Sequence, residues 1–158
     1  MNRILVGLDG SKGAHAAAQW AAQQAKQTGS AIVAVHAEPR TELWSMSAFQ
    51  VDIDPFLAEI QDLLDGRWSA ALRRSGVEYS TQLVRGDPAT ELLRAAKRVG
   101  ASMLVLGSNS HRNIADLIVG STVHKVINRS TIPVVLVPIM APVKKKKKKK
   151  KAVRTRST

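Results

Sequence analysis

Apolar residues are distributed along this chain in two rhythms. Short unbroken runs, Ile4-Leu-Val6, Ala31-Ile-Val-Ala-Val35, Met103-Leu-Val-Leu106 and Val134-Val-Leu-Val137, alternate with longer segments whose apolar positions recur every three or four residues. Unbroken runs suit strands covered on both faces, and the three-to-four spacing suits helices with one buried side. The pattern predicts a strand over 3–8, an Ala-rich helix over 12–28 stopped by Gly29, and a second strand over 31–37. Residues 38–52 read as irregular. From Asp54, with Pro55 in the first turn, one amphipathic helix is expected to run to Ser75 and end at Gly76, with Phe56, Ile60, Leu63, Leu64, Trp68 and Leu72 on its inner side. Val77 to Val84 alternates as a strand. Asp87-Pro88 followed by Glu91 marks a helix start by cap, fixed first residue and early acid, and Gly100 marks its end. After the fourth strand, Asn113 is placed to cap a short turn carrying Ile114, Leu117 and Ile118. Gly120 breaks that turn, Ser121 is placed to cap a helix carrying Val123, Val126 and Ile127, and 133–138 forms the last strand.

Strands separated by single helices imply right-handed crossovers, and therefore a mostly parallel five-stranded α/β sheet with helices on both faces. In open sheets of this kind a ligand crevice lies beyond the carboxyl ends of the strands, where the winding reverses. The loops after the first and fourth strands, Gly7-Leu-Asp-Gly-Ser-Lys12 and Gly107 to Asn113, are the candidates. Two helix starts close together near Asn113 and Ser121 gather unpaired amides that attract anions. Asp9 has two readings. A carboxylate in the crevice can bond a sugar or base donor or approach a phosphate-bound magnesium ion, while Asp-Gly-Ser is also ordinary turn and cap chemistry.

Other chemistries are missing their patterns. Gly10-Ser-Lys-Gly13 lacks the P-loop spacing, no Gly-x-Gly-x-x-Gly follows the first strand, and no Gly-x-Ser-x-Gly elbow occurs. His15, His36, His111 and His124 show no metal-ligand spacing and read as packing or surface residues. No catalytic constellation emerges. With no cysteine, the chain has no disulfide, thiolate metal site or cysteine nucleophile. No stretch approaches the roughly 18 apolar residues of a membrane span, and Asp9 interrupts the N-terminus too early for a signal peptide, so a cytoplasmic location is expected.

Charge divides the chain. Lys144 to Lys151 are eight consecutive lysines, and Arg154 and Arg156 follow, so of the formal charge of +12 only +2 belongs to residues before Lys144. One globular domain over 1–142 and a disordered polybasic tail over 143–158 are expected, since a like-charge block repels itself and buries nothing. Such a tail suits non-specific contact with nucleic acid or another polyanionic surface; without aromatic residues it has no means of stacking on bases. A solubility role is the plainer alternative.

Gly107, Ser110, Gly120 and Ser121 have the spacing of the nucleotide-binding motif of the universal stress protein family: Gly, two residues, Gly, nine residues, then Gly followed by Ser or Thr. The count matches at every step, with Ser110 standing where the motif has its second glycine. Arg3-Ile-Leu-Val-Gly-Leu-Asp-Gly-Ser11, Arg85-Gly-Asp-Pro88, Gly100-Ala-Ser-Met-Leu104 and Pro133-Val-Val-Leu-Val-Pro138 resemble the family in the same order. The resemblance implies a Rossmann-like sheet of order 3-2-1-4-5 and an adenine-nucleotide ligand, ATP with or without Mg2+, or a cyclic nucleotide. It carries Gly7 and Asp9 over as first-strand contacts, Ala37 as backbone beside adenine, and Gly107, Ser108, Asn109, Ser110, His111, Arg112, Asn113, Gly120, Ser121 and Thr122 as the phosphate loop, with Arg112 the best candidate for a phosphate-facing charge. It also implies a homodimer through residues 133–138, a stress-response role, and a binder with at most slow incidental ATP hydrolysis. Ser110 keeps a second function open: a family member that has lost the nucleotide and serves as a dimeric interaction scaffold, its lysine tail holding polyanions.

Overall fold

The computed structural model describes residues 2–40, 52–108 and 120–139. The strands are β1 (Arg3–Gly7), β2 (Ala31–Glu38), β3 (Tyr79–Arg85), β4 (Ala101–Gly107) and β5 (Val134–Val137). The α-helices are α1 (Lys12–Thr28), α2 (Asp54–Leu63), α3 (Ala70–Ser75), α4 (Pro88–Val99) and α5 (Ser121–Arg129), with a wide π-helical turn at Leu64–Trp68 between α2 and α3. All five strands form one sheet of order β3-β2-β1-β4-β5. Every pairing is parallel: Val6 lies opposite Ala34, Leu5 opposite Leu104, and Gly107 opposite Val137.

Successive strand side chains point to opposite faces, so each buried strand feeds two cores. Ile4 and Val6 of β1 join Ile32, Val105, the alanines of α1, Leu64 and Leu72 on one face. Leu5 joins Val33, Val35, Leu92, Leu104 and Val126 on the other. Ala14, Ala17, Ala18, Ala21, Ala22 and Ala25 are the small residues that bring α1 close against the sheet. The approach is tightest at Gly107, where a Cβ would run into the Gly13 carbonyl and meet the Ala14 nitrogen at 2.6 Å.

The helix expected over 54–75 is broken. Gly66 weakens its middle, and at Ser69 (φ −89°, ψ 5°) the backbone leaves the helical region before α3 resumes. Burial outweighs local continuity here: Leu64 and Leu72 both reach the core at 0% exposure, and the wide turn between them lets them do so. A second correction concerns Ser121, expected as a cap. Gly120 holds the cap position with extended backbone and accepts the His124 amide at 3.0 Å, so Ser121 is the first residue inside α5 and no side chain caps that helix. The expected turn at 113–118, most of the irregular segment 38–52, and the lysine tail lie outside the described residues.

Candidate functional site

A cavity of about 360 Å3 opens at the carboxyl edge of the sheet. Its floor is the ends of three adjacent strands: Gly7, Leu8 and Asp9 after β1, Val35 to Ala37 in β2, and Leu106 to Ser108 in β4. Its rim is three helix starts, with Ser11 and Ala14 of α1, Pro88 and Leu92 of α4, and Gly120 to Val123 of α5. Gly7 keeps the floor low, since a Cβ there would meet the Leu106 side chain at 2.6 Å.

The three helix starts differ chemically. At α1, the Ser11 hydroxyl accepts the Ala14 amide at 3.1 Å, and Asp9 Oδ1 accepts the Ser11 amide at 2.9 Å. The turn between them needs Gly10, which sits at φ +77° with the Trp68 indole so close that a Cβ would come within 2.5 Å of Nε1. At α4, Asp87 Oδ2 accepts both the Thr90 amide, at 3.1 Å, and the Thr90 hydroxyl, at 2.8 Å. The start of α5 has no such partner, and a Cβ on Gly120 would meet nothing within 4 Å among the described residues. Beside it on the floor, Ser108 is 4% exposed, and its Oγ has no hydrogen-bond partner among the described residues.

Polar contacts fix the walls. Lys125 of α5 donates to Asp87 Oδ1 at 3.0 Å and Arg129 donates to the Thr90 hydroxyl at 3.1 Å, fastening α5 to the start of α4. The Lys125 contact first, and the Thr90 bonds next, lower the Asp87 pKa from 3.8 to about 2. His36, in the cavity wall, donates from Nδ1 to the Leu8 carbonyl at 2.6 Å, while Nε2 lies 3.0 Å from Glu38 Oε2. Its ring stands edge-on to Trp68 at 5.0 Å.

Of the residues singled out in the sequence, Gly7, Asp9, Ala37, Gly107, Ser108, Gly120, Ser121 and Thr122 line this one cavity. Asn109, Ser110, His111, Arg112 and Asn113 lie outside the described residues. His36, read from the sequence as a packing or surface residue, and Leu8, Pro88 and Leu92 are wall residues that the sequence did not single out. The signal for His36 was a polar side chain inside the apolar run 31–37, one residue before Ala37. Among the described residues no three His, Cys, Asp or Glu side chains gather to hold a metal, and no helix is long and apolar enough to cross a membrane.

A five-stranded parallel sheet in this order, with a crevice at the β1/β4 switch point bordered by helix starts, defines a Rossmann-like α/β protein. The model of the universal stress protein family matches residues 1–138, and the chain belongs to that family. It is similar to universal stress protein YxiE of Bacillus subtilis, at 30% identity, over 86% of this chain and 98% of that one. Among solved structures it resembles a universal stress protein in complex with cAMP, with a TM-score of 0.67 and 24% identity over 88% of this chain and 98% of that one. It also resembles the universal stress protein from Archaeoglobus fulgidus in complex with dAMP, with a TM-score of 0.66 and 22% identity over 87% of this chain and 98% of that one.

Proposed function

We propose that this chain binds an adenine nucleotide in the carboxyl-edge cavity and acts as a nucleotide-responsive, dimeric stress-response module. One observation carries the reading. The start of α5 lines the cavity with no side-chain cap among the described residues, whereas α1 and α4 are closed by their own caps. Unsatisfied amides at a helix start, reinforced by the helix dipole, are a phosphate site. At Gly120 neither the backbone angle nor a neighbouring described atom requires a glycine, and close approach of a phosphate gives it a reason.

In this reading Gly120, Ser121 and Thr122 bond the phosphates, and Ser108 to Asn113 supply the remaining phosphate contacts, with Arg112 the phosphate-facing charge. The backbone at Ala37 meets the adenine edge. Asp9 spends Oδ1 on the Ser11 amide and keeps Oδ2 for a ribose hydroxyl or for magnesium carried by ATP. Two related proteins of the same fold hold cAMP and dAMP, which agrees with an adenine ligand. The nucleotide would act by favouring one conformation or assembly over another, by no more than its difference in affinity for the two. The tail from about residue 143 would be a separate arm that holds polyanions without sequence preference.

The test is equilibrium titration of the full-length protein with Mg-ATP, after stripping and chromatographic analysis of any co-purified nucleotide. Saturable binding is expected, and Gly120→Val should weaken it at least about tenfold by filling the phosphate position. Binding that disappears when Lys144 to Lys151 are replaced by glutamine, and is unmoved by Gly120→Val, would sink the proposal. It would favour the scaffold reading that Ser110 keeps open.

A further inference from the structure

We infer that the chain carries a second anion site, a basic groove on the far side of the Asp9-Gly10-Ser11 turn, suited to a compound bearing several phosphate groups. The groove has a volume of about 410 Å3, and Lys12, His15, Arg67, Trp68 and Arg74 supply its functional side chains. It shares Leu8, Ser11 and Ala14 with the first cavity, so the two lie back to back across one turn, but all the cations line the groove alone. The inference stands independently of nucleotide binding in the first cavity.

Three points carry it. First, the charge is uncompensated. No Asp or Glu lines the groove, and Lys12, Arg67 and Arg74 make no ion pair among the described residues, whereas Arg94 pairs with Glu91 and Lys125 with Asp87. Asp9 and Asp65 lie nearby in the chain, but neither lines the groove or pairs with its cations: Asp9 accepts the Ser11 amide, and Asp65 accepts Gln61 and the Thr81 hydroxyl. Lys12, Arg67 and Arg74 are exposed side chains around one concavity, and a multivalent anion between them would offset their mutual repulsion.

Second, the cations come from opposing elements. Lys12 and His15 lie one turn apart at the start of α1, where the helix dipole adds to their charge, and Arg67 and Arg74 come from the wide turn and α3. Guanidinium forks bond the oxygens of a phosphate in pairs, and a compound with several phosphates can engage both arginines and Lys12 at once.

Third, the π-helical turn has a consequence here. Its extra residue rotates the following chain by about 100° relative to a continuous α-helix. Arg67 and Trp68 belong to that turn, and the indole is held edge-on by His36 beneath Gly10. A rigid aromatic wall beside three cations is a binding surface prepared before the ligand arrives.

The experiment titrates inorganic tripolyphosphate into the full-length protein with 15N-labelled tryptophan and follows the Trp68 indole N–H, assigned by its loss in Trp68→Phe. A saturable shift is expected. It should weaken about tenfold or more in Arg67→Gln/Arg74→Gln, weaken in Lys12→Gln and with added salt, and persist in Gly120→Val. Tripolyphosphate held only by the tail leaves this resonance unmoved. An unmoved signal, an affinity unchanged in Lys12→Gln and in the double glutamine variant, or a shift abolished by Gly120→Val would each overturn the proposal. Should the double variant lose its folded spectrum, Lys12→Gln, on an exposed first-turn residue, decides.

Discussion

Asp87 accepts Thr90 at one carboxylate oxygen and Lys125 at the other, so a single side chain both caps α4 and anchors α5. Its carboxyl titrates at about 2 instead of 3.8, and the sign follows from that direction. A lowered folded-state pKa contributes stability that is complete above the unfolded value, near 4, and is lost as the pH falls from there through about 2. Asp87→Asn is therefore expected to be less stable than the parent at neutral pH and to converge with it between pH 4 and 2, as measured by urea denaturation across that range. The cap was legible in the sequence because Asp-Pro with a following Glu91 is local chemistry. Its bond to Lys125, 38 residues away, was not, because it depends on where α5 lands.

At the level of elements, strands and helices were read to within a residue or two wherever one periodicity ruled: the Ala stripe of α1, the unbroken apolar runs of β1, β2 and β4, and the glycine stops at Gly29, Gly76 and Gly100. The failures have specific causes. Leu64, Trp68 and Leu72 share helical spacing and pointed to one continuous helix, yet the sheet demanded a different phase for Leu64 and Leu72, and Gly66 let the backbone yield. Ser121 is a good cap residue that lost its position to Gly120. His36 reached the cavity wall through the parallel register that brings it beside Leu8, and no local pattern encodes that register. Gly107 also has a packing role, since α1 presses backbone against it. Gly107→Ala must push β4 and α1 apart, and a loss of about 1–3 kcal/mol is expected in the same urea assay. Most of that loss should be present without nucleotide, which separates packing from ligand contact.

For the whole molecule, the described sheet ends at β5, which lies within the residues 133–138 proposed to pair two copies. The Pro133 and Val137 carbonyls accept the Leu104 and Ser108 amides, each at 2.9 Å, so alternation turns the N–H and C=O groups of Val134 and Leu136 outward. An open apolar edge of this kind favours pairing with a second copy. Val134→Pro removes one outward donor and none of the bonds to β4, and sedimentation is expected to report a dimer for the parent and a shift toward monomer for the variant. The strand order was available from the family resemblance and the parallel sheet from the alternation of strands and helices, whereas the basic groove was not, since its cations come from elements more than 50 residues apart in the chain.

The central position of β1 also bears on how the protein is made. One edge of β1 pairs with β2, Arg3 opposite Ala31, but the other waits for β4, with Arg3 opposite Ala101. At a synthesis rate of about 5–20 residues per second, the first strand leaves the ribosome roughly 5–20 s before its second neighbour exists. Ile4, Leu5 and Val6, among the most deeply buried residues of the finished molecule, are therefore the ones that a nascent chain must hold exposed the longest. Early chaperone contact should concentrate on this N-terminal strand and be released once Gly107 has docked against α1.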